Sequence, residues 1–353
     1  MLARTRVLLV DDSAVVRKLL GDALRTHDDI EVIGGAADPY IAREMILQLQ
    51  PDVITLDIEM PRMDGLTFLR KLMEHHPIPA IVVSSLTQHG SVASVEALRI
   101  GAIDVIGKPG GPLAVAEVAE RVAERIRALR GSPIRLGMVA PPAPDASAVS
   151  SVSGGRLRGL VVIGASTGGT QAIEAVLSRM PADGPPILIA QHMPAGFTKA
   201  FAERLNGVCP MRVVEAVADQ PLERGVACVA PGDHHLTVDR QGLQLLARLD
   251  RRPPLHYQRP AVDALFASAA ALRGVPIVAL LLTGMGADGA DGMLALRQAG
   301  AETIAEAEAS CVVFGMPKEA IARGGAVHVA SLLAIPDLAL DCLDRLNRVS
   351  RAG

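Results

Sequence analysis

The chain has 353 residues, enough for two domains of ordinary size, and at 50% hydrophobic and 21% charged each can bury a full core. A formal net charge of −3 offers no electrostatic footprint for nucleic acid or anionic lipid, and 2% aromatic residues with no tryptophan argue against base stacking. Cys209, Cys228, Cys311 and Cys342 are scattered without a C-x-x-C pair, and read as reduced core thiols of a cytoplasmic protein rather than a disulfide framework or a metal motif.

The N-terminal residues Met1 to Arg6 lead straight into a strand, without the long apolar stretch of a signal peptide. Short apolar runs then alternate with helical patterns, as in a parallel α/β sheet. The expected strands are Val7–Val10, Glu31–Ala36, Val53–Asp57, Ala80–Ser84 and Ile103–Ile106. The expected helices are Ala14–Arg25, Tyr40–Leu49, Gly65–His75, Ser91–Ile100 and Leu113–Leu129. A domain is expected over residues 1–130. Residues 131–156, with Pro141-Pro142-Ala143-Pro144 and a Ser/Ala/Gly stretch, read as a flexible linker that cannot bury a core.

A second α/β domain is expected over residues 157–350, with a mainly parallel sheet. Leu160–Gly164, Ile187–Gln191, Ile277–Thr283 and Glu302–Ala307 read as buried strands, and Val226–Ala230, Leu236–Val238 and Leu243–Leu246 as shorter strands or hairpins. Helices are expected at Thr170–Met180, Phe197–Asn206, Ala261–Leu272, Gly289–Ala299 and Ile335–Val349. The run Ile277–Leu282 is too short to cross a membrane.

Asp11 and Asp12 follow the first strand and Asp57 ends the third. In a parallel sheet all strand C-termini share one edge, where ligands bind. Three carboxylates there repel one another, and Mg²⁺, a hard cation that takes oxygen ligands, relieves the repulsion. Asp12 and Asp57 are the expected ligands, with Asp11 beside them as a further candidate. The ion can neutralise an incoming phosphoryl group while Asp57 attacks phosphorus. Lys108 and Ser84, each at a strand end, can hold phosphoryl oxygens, and Pro109 would set the turn that aims the lysine. With Met60-Pro61-Arg62-Met63-Asp64-Gly65 and Lys108-Pro109, this part resembles the response-regulator receiver domain. The resemblance implies a flavodoxin-like five-stranded fold and phosphorylation of Asp57 by a partner histidine kinase.

Gly164-Ala165-Ser166-Thr167-Gly168-Gly169 lies between a strand and a helix, the setting of a nucleophile elbow. The helix N-terminus adds free N–H groups for an oxyanion, with Thr167 the first expected donor. Such a turn could equally hold a phosphate, but the lysine of a P-loop is missing. Of the histidines that follow, His192 ends an apolar strand and shares the sheet edge with Ser166, whereas His234 and His235, in a Pro231-Gly232-Asp233 turn, read as a solvated loop or substrate rim and His256 and His328 have no comparable placement. Asp288, after another strand end, is the expected orienting acid, with Asp291 one turn further on as the fallback. The order Ser, His, Asp differs from that of ordinary α/β-hydrolases and implies a convergent triad.

These motifs, together with Gln191-His192-Met193, Thr283-Gly284-Met285-Gly286-Ala287-Asp288-Gly289 and Val312-Val313-Phe314-Gly315-Met316-Pro317, resemble the catalytic domain of the chemotaxis protein-glutamate methylesterases, the CheB family. The resemblance assigns nucleophile, base and acid to Ser166, His192 and Asp288, and the backbone near Met285 is a further oxyanion candidate. It implies hydrolysis of glutamyl methyl esters on chemoreceptor cytoplasmic domains, with methanol released and no cofactor in the ester step. Some members also deamidate receptor glutamines. It also implies that the unphosphorylated receiver restrains the enzyme. A cytoplasmic monomer is expected, without nucleic-acid binding or membrane insertion. The competing readings are a phospho-responsive binding module with an inactive or drifted site, and a small-molecule esterase.

Overall fold

The computed structural model describes residues 4–84, 87–108, 115–129 and 159–352. The expected linker 131–156, Pro109 and the start of the fifth helix lie outside these residues. The chain falls into two compact units.

In the first unit the elements are β1 (Thr5–Val10), α1 (Ala14–Leu24), β2 (Ile30–Ala36), α2 (Pro39–Leu49), β3 (Val53–Leu56), α3 (Gly65–His75), β4 (Ala80–Ser84), α4 (Gln88–Ile100), β5 (Asp104–Gly107) and α5 (Val115–Leu129). The sheet order is β2-β1-β3-β4-β5, and every pairing is parallel. Runs such as Val7–Val10 and Ile81–Val83 are buried because helices cover both faces of such a sheet. Helix starts follow short polar residues. Ser13 accepts from Val16 N–H, Asp38 from Tyr40 and Ile41, and Asp64 from Thr67. Asp12 is therefore not the cap of α1. Gly65 follows the Asp64 cap because a Cβ there would collide with the Asp57 carbonyl.

The second unit runs β6 (Leu160–Ala165), α6 (Gly169–Leu177), β7 (Ile187–Gln191), α7 (Phe197–Val208), β8 (Arg212–Glu215), β9 (Gln220–Pro221), β10 (Val226–Val229), β11 (His235–Gln241), β12 (Gln244–Asp250), α8 (Val262–Ala270), β13 (Ile277–Leu281), α9 (Ala290–Gln298), β14 (Glu302–Glu306), α10 (Met316–Ala322), β15 (His328–Ala330) and α11 (Ile335–Ala352). Seven strands pair in parallel in the order β15-β14-β13-β6-β7-β10-β8. The chain starts in the middle of this sheet, builds one side, and returns to build the other. Such a reversal opens a crevice at the strand C-termini, here beside β6. A small antiparallel sheet, β11-β12-β9, stands apart from it.

Several expectations change. The strand expected from Leu243 begins at Gln244, because Gly242 (φ +63°) makes the hairpin turn and leaves Leu243 94% exposed at its tip. The strand expected to reach Thr283 stops at Leu281, since the Thr283 N–H leaves the ladder for the Glu306 carboxylate. Edge strands β8 and β15 and the seven-residue helix α10 are new. Edge strands bury one side or less, so their sequences lack a continuous apolar run.

Candidate active site

Three neighbouring strands converge on one point. Ser166 directly follows β6, His192 directly follows β7 beside it, and β13 on its other side leads to Asp288. The imidazole Nδ1 of His192 stands 3.1 Å from Ser166 Oγ, and its Nε2 stands 2.7 Å from Asp288 Oδ2. All three residues are buried. The ring is turned end for end relative to the serine-protease template, in which Nε2 faces the serine. Either nitrogen can act as the base. An ionised Asp288 only accepts, so it keeps the ring proton on Nε2 and leaves the Nδ1 lone pair toward Oγ.

Asp288 is held as an anion by backbone. Oδ2 also accepts from Val262 N–H at 2.7 Å, and Oδ1 accepts from Asp263 N–H at 2.8 Å. Both N–H groups belong to the first turn of α8, whose cap residue Ala261 supplies no side-chain bond. Asp288 satisfies these otherwise orphaned donors and meets the positive end of the helix. Burial penalises its charge, but the His192 bond and charge and these two N–H groups outweigh that and hold the carboxyl below its usual range. Asp291, the fallback acid, is exposed and pairs with Arg323 instead.

The turn around Ser166 is built on close approaches. Gly168 (φ +77°) takes a conformation that costs glycine little. A Cβ on Gly284 would stand 2.7 Å from the Ser166 Cβ, so only glycine lets this backbone, with Met285 next along it, pass beside the serine. The N–H of Ser166 donates to the Thr283 carbonyl at 3.0 Å, and Thr283 Oγ1 donates to the Thr167 carbonyl at 3.0 Å. Gln191 Nε2 donates to the carbonyls of Ser166 (2.9 Å) and His192 (3.2 Å). Behind Thr283, the fully buried Glu306 accepts from the Thr283 N–H at 2.8 Å, and burial pushes its carboxyl up to about 7. Sequence reasoning assigned no role to Thr283, Gln191 or Glu306. Gln191 and Thr283 stood in the motifs that carry the resemblance, and Glu306 ends β14 of the same sheet.

The other histidines are engaged elsewhere. His234 lies by the Gly232 carbonyl and the Arg251 guanidinium. His235 is buried at the start of β11 rather than in a solvated loop, its Nε2 3.1 Å from the Pro253 carbonyl; His256 pairs with Asp263, and His328 with Glu302.

In the first unit Asp11, Asp12 and Asp57 present carboxylate oxygens within 4.8 Å of one another. This all-oxygen group suits a hard divalent cation. Lys108 Nζ bridges Asp11 Oδ2 (3.0 Å) and Asp57 Oδ2 (2.8 Å). Burial pushes the Asp57 carboxyl up to about 6 against the pull of Lys108. Burial works against the Lys108 charge, yet Asp57 and Asp11 hold the ammonium above its usual value. Ser84 Oγ, at the end of β4, is fully buried and has no hydrogen-bond partner among the described residues. The pocket thus holds spare acceptors for a cation and a spare hydroxyl for an anion.

Among the described residues no helix is long and apolar enough to cross a membrane. The CheB methylesterase family model matches residues 161–339, and the response regulator receiver domain model matches residues 7–120. The protein-glutamate methylesterase/protein-glutamine glutaminase 2 of Syntrophus aciditrophicus is 49% identical over 337 residues, covering 95% of this chain and 98% of its own. A protein-glutamate methylesterase/protein-glutamine glutaminase of Methylobacillus flagellatus is 47% identical over 342 residues, covering 96% of each chain. The crystal structure of the Thermotoga maritima CheB methylesterase catalytic domain is 37% identical, with a TM-score of 0.51, and aligns over 53% of this chain and 98% of that one. Likeness of this extent, along nearly the whole length and with both units in the same order, means that the chain belongs to the CheB methylesterase family, its catalytic domain preceded by a response regulator receiver domain.

Proposed function

We propose that this protein is a phosphorylation-activated protein-glutamate methylesterase that acts on chemoreceptors, and that the same site deamidates receptor glutamines. The observation that carries the reading is the buried relay Asp288–His192–Ser166, with contacts of 2.7 and 3.1 Å. Ser166 Oγ attacks the carbonyl carbon of the glutamyl ester while His192 Nδ1 takes its proton. The tetrahedral oxyanion lies toward the main-chain N–H groups of Thr167 and Met285. His192 returns the proton to the departing methoxide, and methanol leaves an acyl-serine. A water molecule, deprotonated by His192, then attacks the acyl carbon and frees the glutamate and Ser166. With a glutamine side chain the leaving group is ammonia.

The receiver pocket supplies the control. Asp57 is the phosphoryl acceptor and a chemotaxis histidine kinase the donor. Asp12 and Asp57, with Asp11 beside them, would hold Mg²⁺, and their clustered oxygens fit it. When bound, the ion supplies positive charge against the incoming phosphoryl group. Lys108 pairs with one phosphoryl oxygen, and the buried Ser84 hydroxyl, without a partner among the described residues, donates to another. The complete, buried relay speaks against a binding module with a dead site.

The test is methanol release from methylated receptor membranes by the full chain, with and without a small phosphodonor and Mg²⁺, beside Ser166→Ala. Release that needs Ser166 and rises with phosphodonor is expected. Ser166-independent release would overturn the catalytic assignment, and release indifferent to phosphodonor would overturn the switch.

A further inference from the structure

Between β12 and α8 the chain makes a turn that the relay does not use. Leu255 and Gln258 bond to each other in both directions, at 3.1 and 2.8 Å, and close a two-residue turn. Its central residues, His256 (φ +50°) and Tyr257 (φ +60°), are both in the left-handed region. Hairpin turns with two such residues normally use Asn-Gly or Gly-Gly, which adopt them at little cost. A histidine and a tyrosine there are strained, and such strain persists only where the surroundings impose it.

The surroundings do impose it. Arg259 Nη1 donates to the Arg251 and Arg252 carbonyls, both at 3.1 Å, and ties the two arms of the loop together. The Arg259 guanidinium also pairs with Asp233, and the Arg259 carbonyl accepts from Asp233 N–H at 3.0 Å. His256 Nε2 lies 2.9 Å from Asp263 Oδ2. The His256, Asp263 and Asp288 side chains bring one polar atom each within 4.8 Å of the others. The turn therefore abuts the acid end of the relay. At its tip Tyr257, one of only 2 tyrosines in the chain, is 95% exposed, and Leu255 beside it is 44% exposed.

We propose that the 255–258 turn is a substrate-docking element, in which Tyr257, flanked by Leu255, packs against the receptor polypeptide on either side of the reacting glutamyl residue. The proposal rests on the methylesterase reading and adds to it the source of substrate affinity. A single glutamyl ester offers the enzyme few atoms to grip, so selectivity must come from contacts with the flanking chain. A tyrosine held on a braced turn supplies a large contact area at low entropic cost. Arg251 and Arg252, on the arm leading to the turn, expose about two thirds of their side chains, Arg252 while paired with Asp250 and Arg251 while lying 3.9 Å from Asp233.

The experiment compares the full chain with Tyr257→Ala and Tyr257→Gly on two substrates, methylated receptor membranes and 4-nitrophenyl acetate. Both variants should raise the receptor KM about tenfold or more, a loss typical of an aromatic anchor, with kcat and the small-ester rate unchanged. Tyr257→Gly should melt at the same temperature or higher, because glycine relieves the strain at φ +60°. A purely structural role would leave the receptor KM unmoved in the glycine variant. Receptor KM within about twofold of the parent in both variants would overturn the docking role and leave the methylesterase reading intact. If the parent hydrolyses the small ester but releases no receptor methanol, the methylesterase reading falls and the docking role falls with it.

Discussion

The two sheet-edge sites of this chain occupy equivalent places in parallel α/β sheets and are built on opposite principles. Around Ser166 the protein completes its own electrostatics. Asp288 accepts three hydrogen bonds, one from His192 and two from main-chain N–H groups, and its charge is favoured despite burial. Around Asp57 it does not. Three carboxylates face one ammonium, the central one is pushed up to about 6, and a buried hydroxyl has no partner among the described residues. Acyl transfer creates charge only in the transition state, so the groups that stabilise it must already be in place. Phosphoryl transfer brings a highly charged group in from solution, and under the proposed function a cation and that group would complete the site. A finished site suits constant chemistry, and an unfinished one suits a switch.

The largest way to break the finished site is Ser166→Ala. It should lower the rate of methanol release on the order of 10⁶-fold with the fold unchanged, since members of such a unit fail together. Asp288→Asn should cost on the order of 10⁴-fold in kcat. With the carbonyl oxygen kept toward Asp263 N–H, the amide nitrogen takes the place of Oδ2, leaves Val262 N–H without its acceptor and donates to His192 Nε2, forcing the ring proton onto Nδ1. Single-turnover release, compared with the parent, checks both.

At the unfinished site, Asp57→Asn should abolish all stimulation by phosphodonor and leave basal release unchanged. Stimulation of that variant would remove Asp57 from its proposed role. A subtler probe is pH. The attacking form of Asp57 is the carboxylate, so labelling by a small phosphodonor without added metal should fall about tenfold per pH unit below about 6. Adding Mg²⁺ should move that limb to lower pH, because a cation favours the carboxylate. A limb unmoved by metal would mean that the carboxylates do not hold it.

The smallest expected effects come from Glu306, the one buried acid behind the serine turn that resembles the receiver pocket in its raised pKa. Glu306→Leu leaves the Thr283 N–H unpaired and should cost about 1–3 kcal/mol. Glu306→Gln keeps the acceptor and should be tolerated. Because the folded carboxyl lies above its ordinary 4.5, at about 7, the folded state binds the proton more tightly. Stability should therefore decline as pH rises through that interval. The glutamine variant should lack that decline, which thermal melts across the interval would reveal.

Much of both sites was legible in the sequence because of one geometric fact. Asp11, Asp57, Ser84, Ser166 and His192 each end an apolar run, and parallel strands bring such ends to a common edge. Asp288 was legible from the glycine-rich turn that follows β13. The details that decide chemistry were not. Nothing local in the sequence says that His192 turns Nδ1 toward the serine, or that α8 points its first N–H groups at an acid 26 and 25 residues further on. Thr283 reads as the end of a strand, yet its N–H, carbonyl and hydroxyl hold together Glu306, Ser166 and Thr167. His256-Tyr257 carries no turn signal, since neither residue favours positive φ. Its conformation is imposed by Arg259 and Asp263 from outside. Periodicity and strand ends are properties of neighbouring residues, and so the sequence by itself determined the two sheets, their order along the chain and the residues on their functional edges. Ring orientation, main-chain donors from a distant helix and a strained turn depend on groups far apart in the chain, and only the tertiary structure decided those.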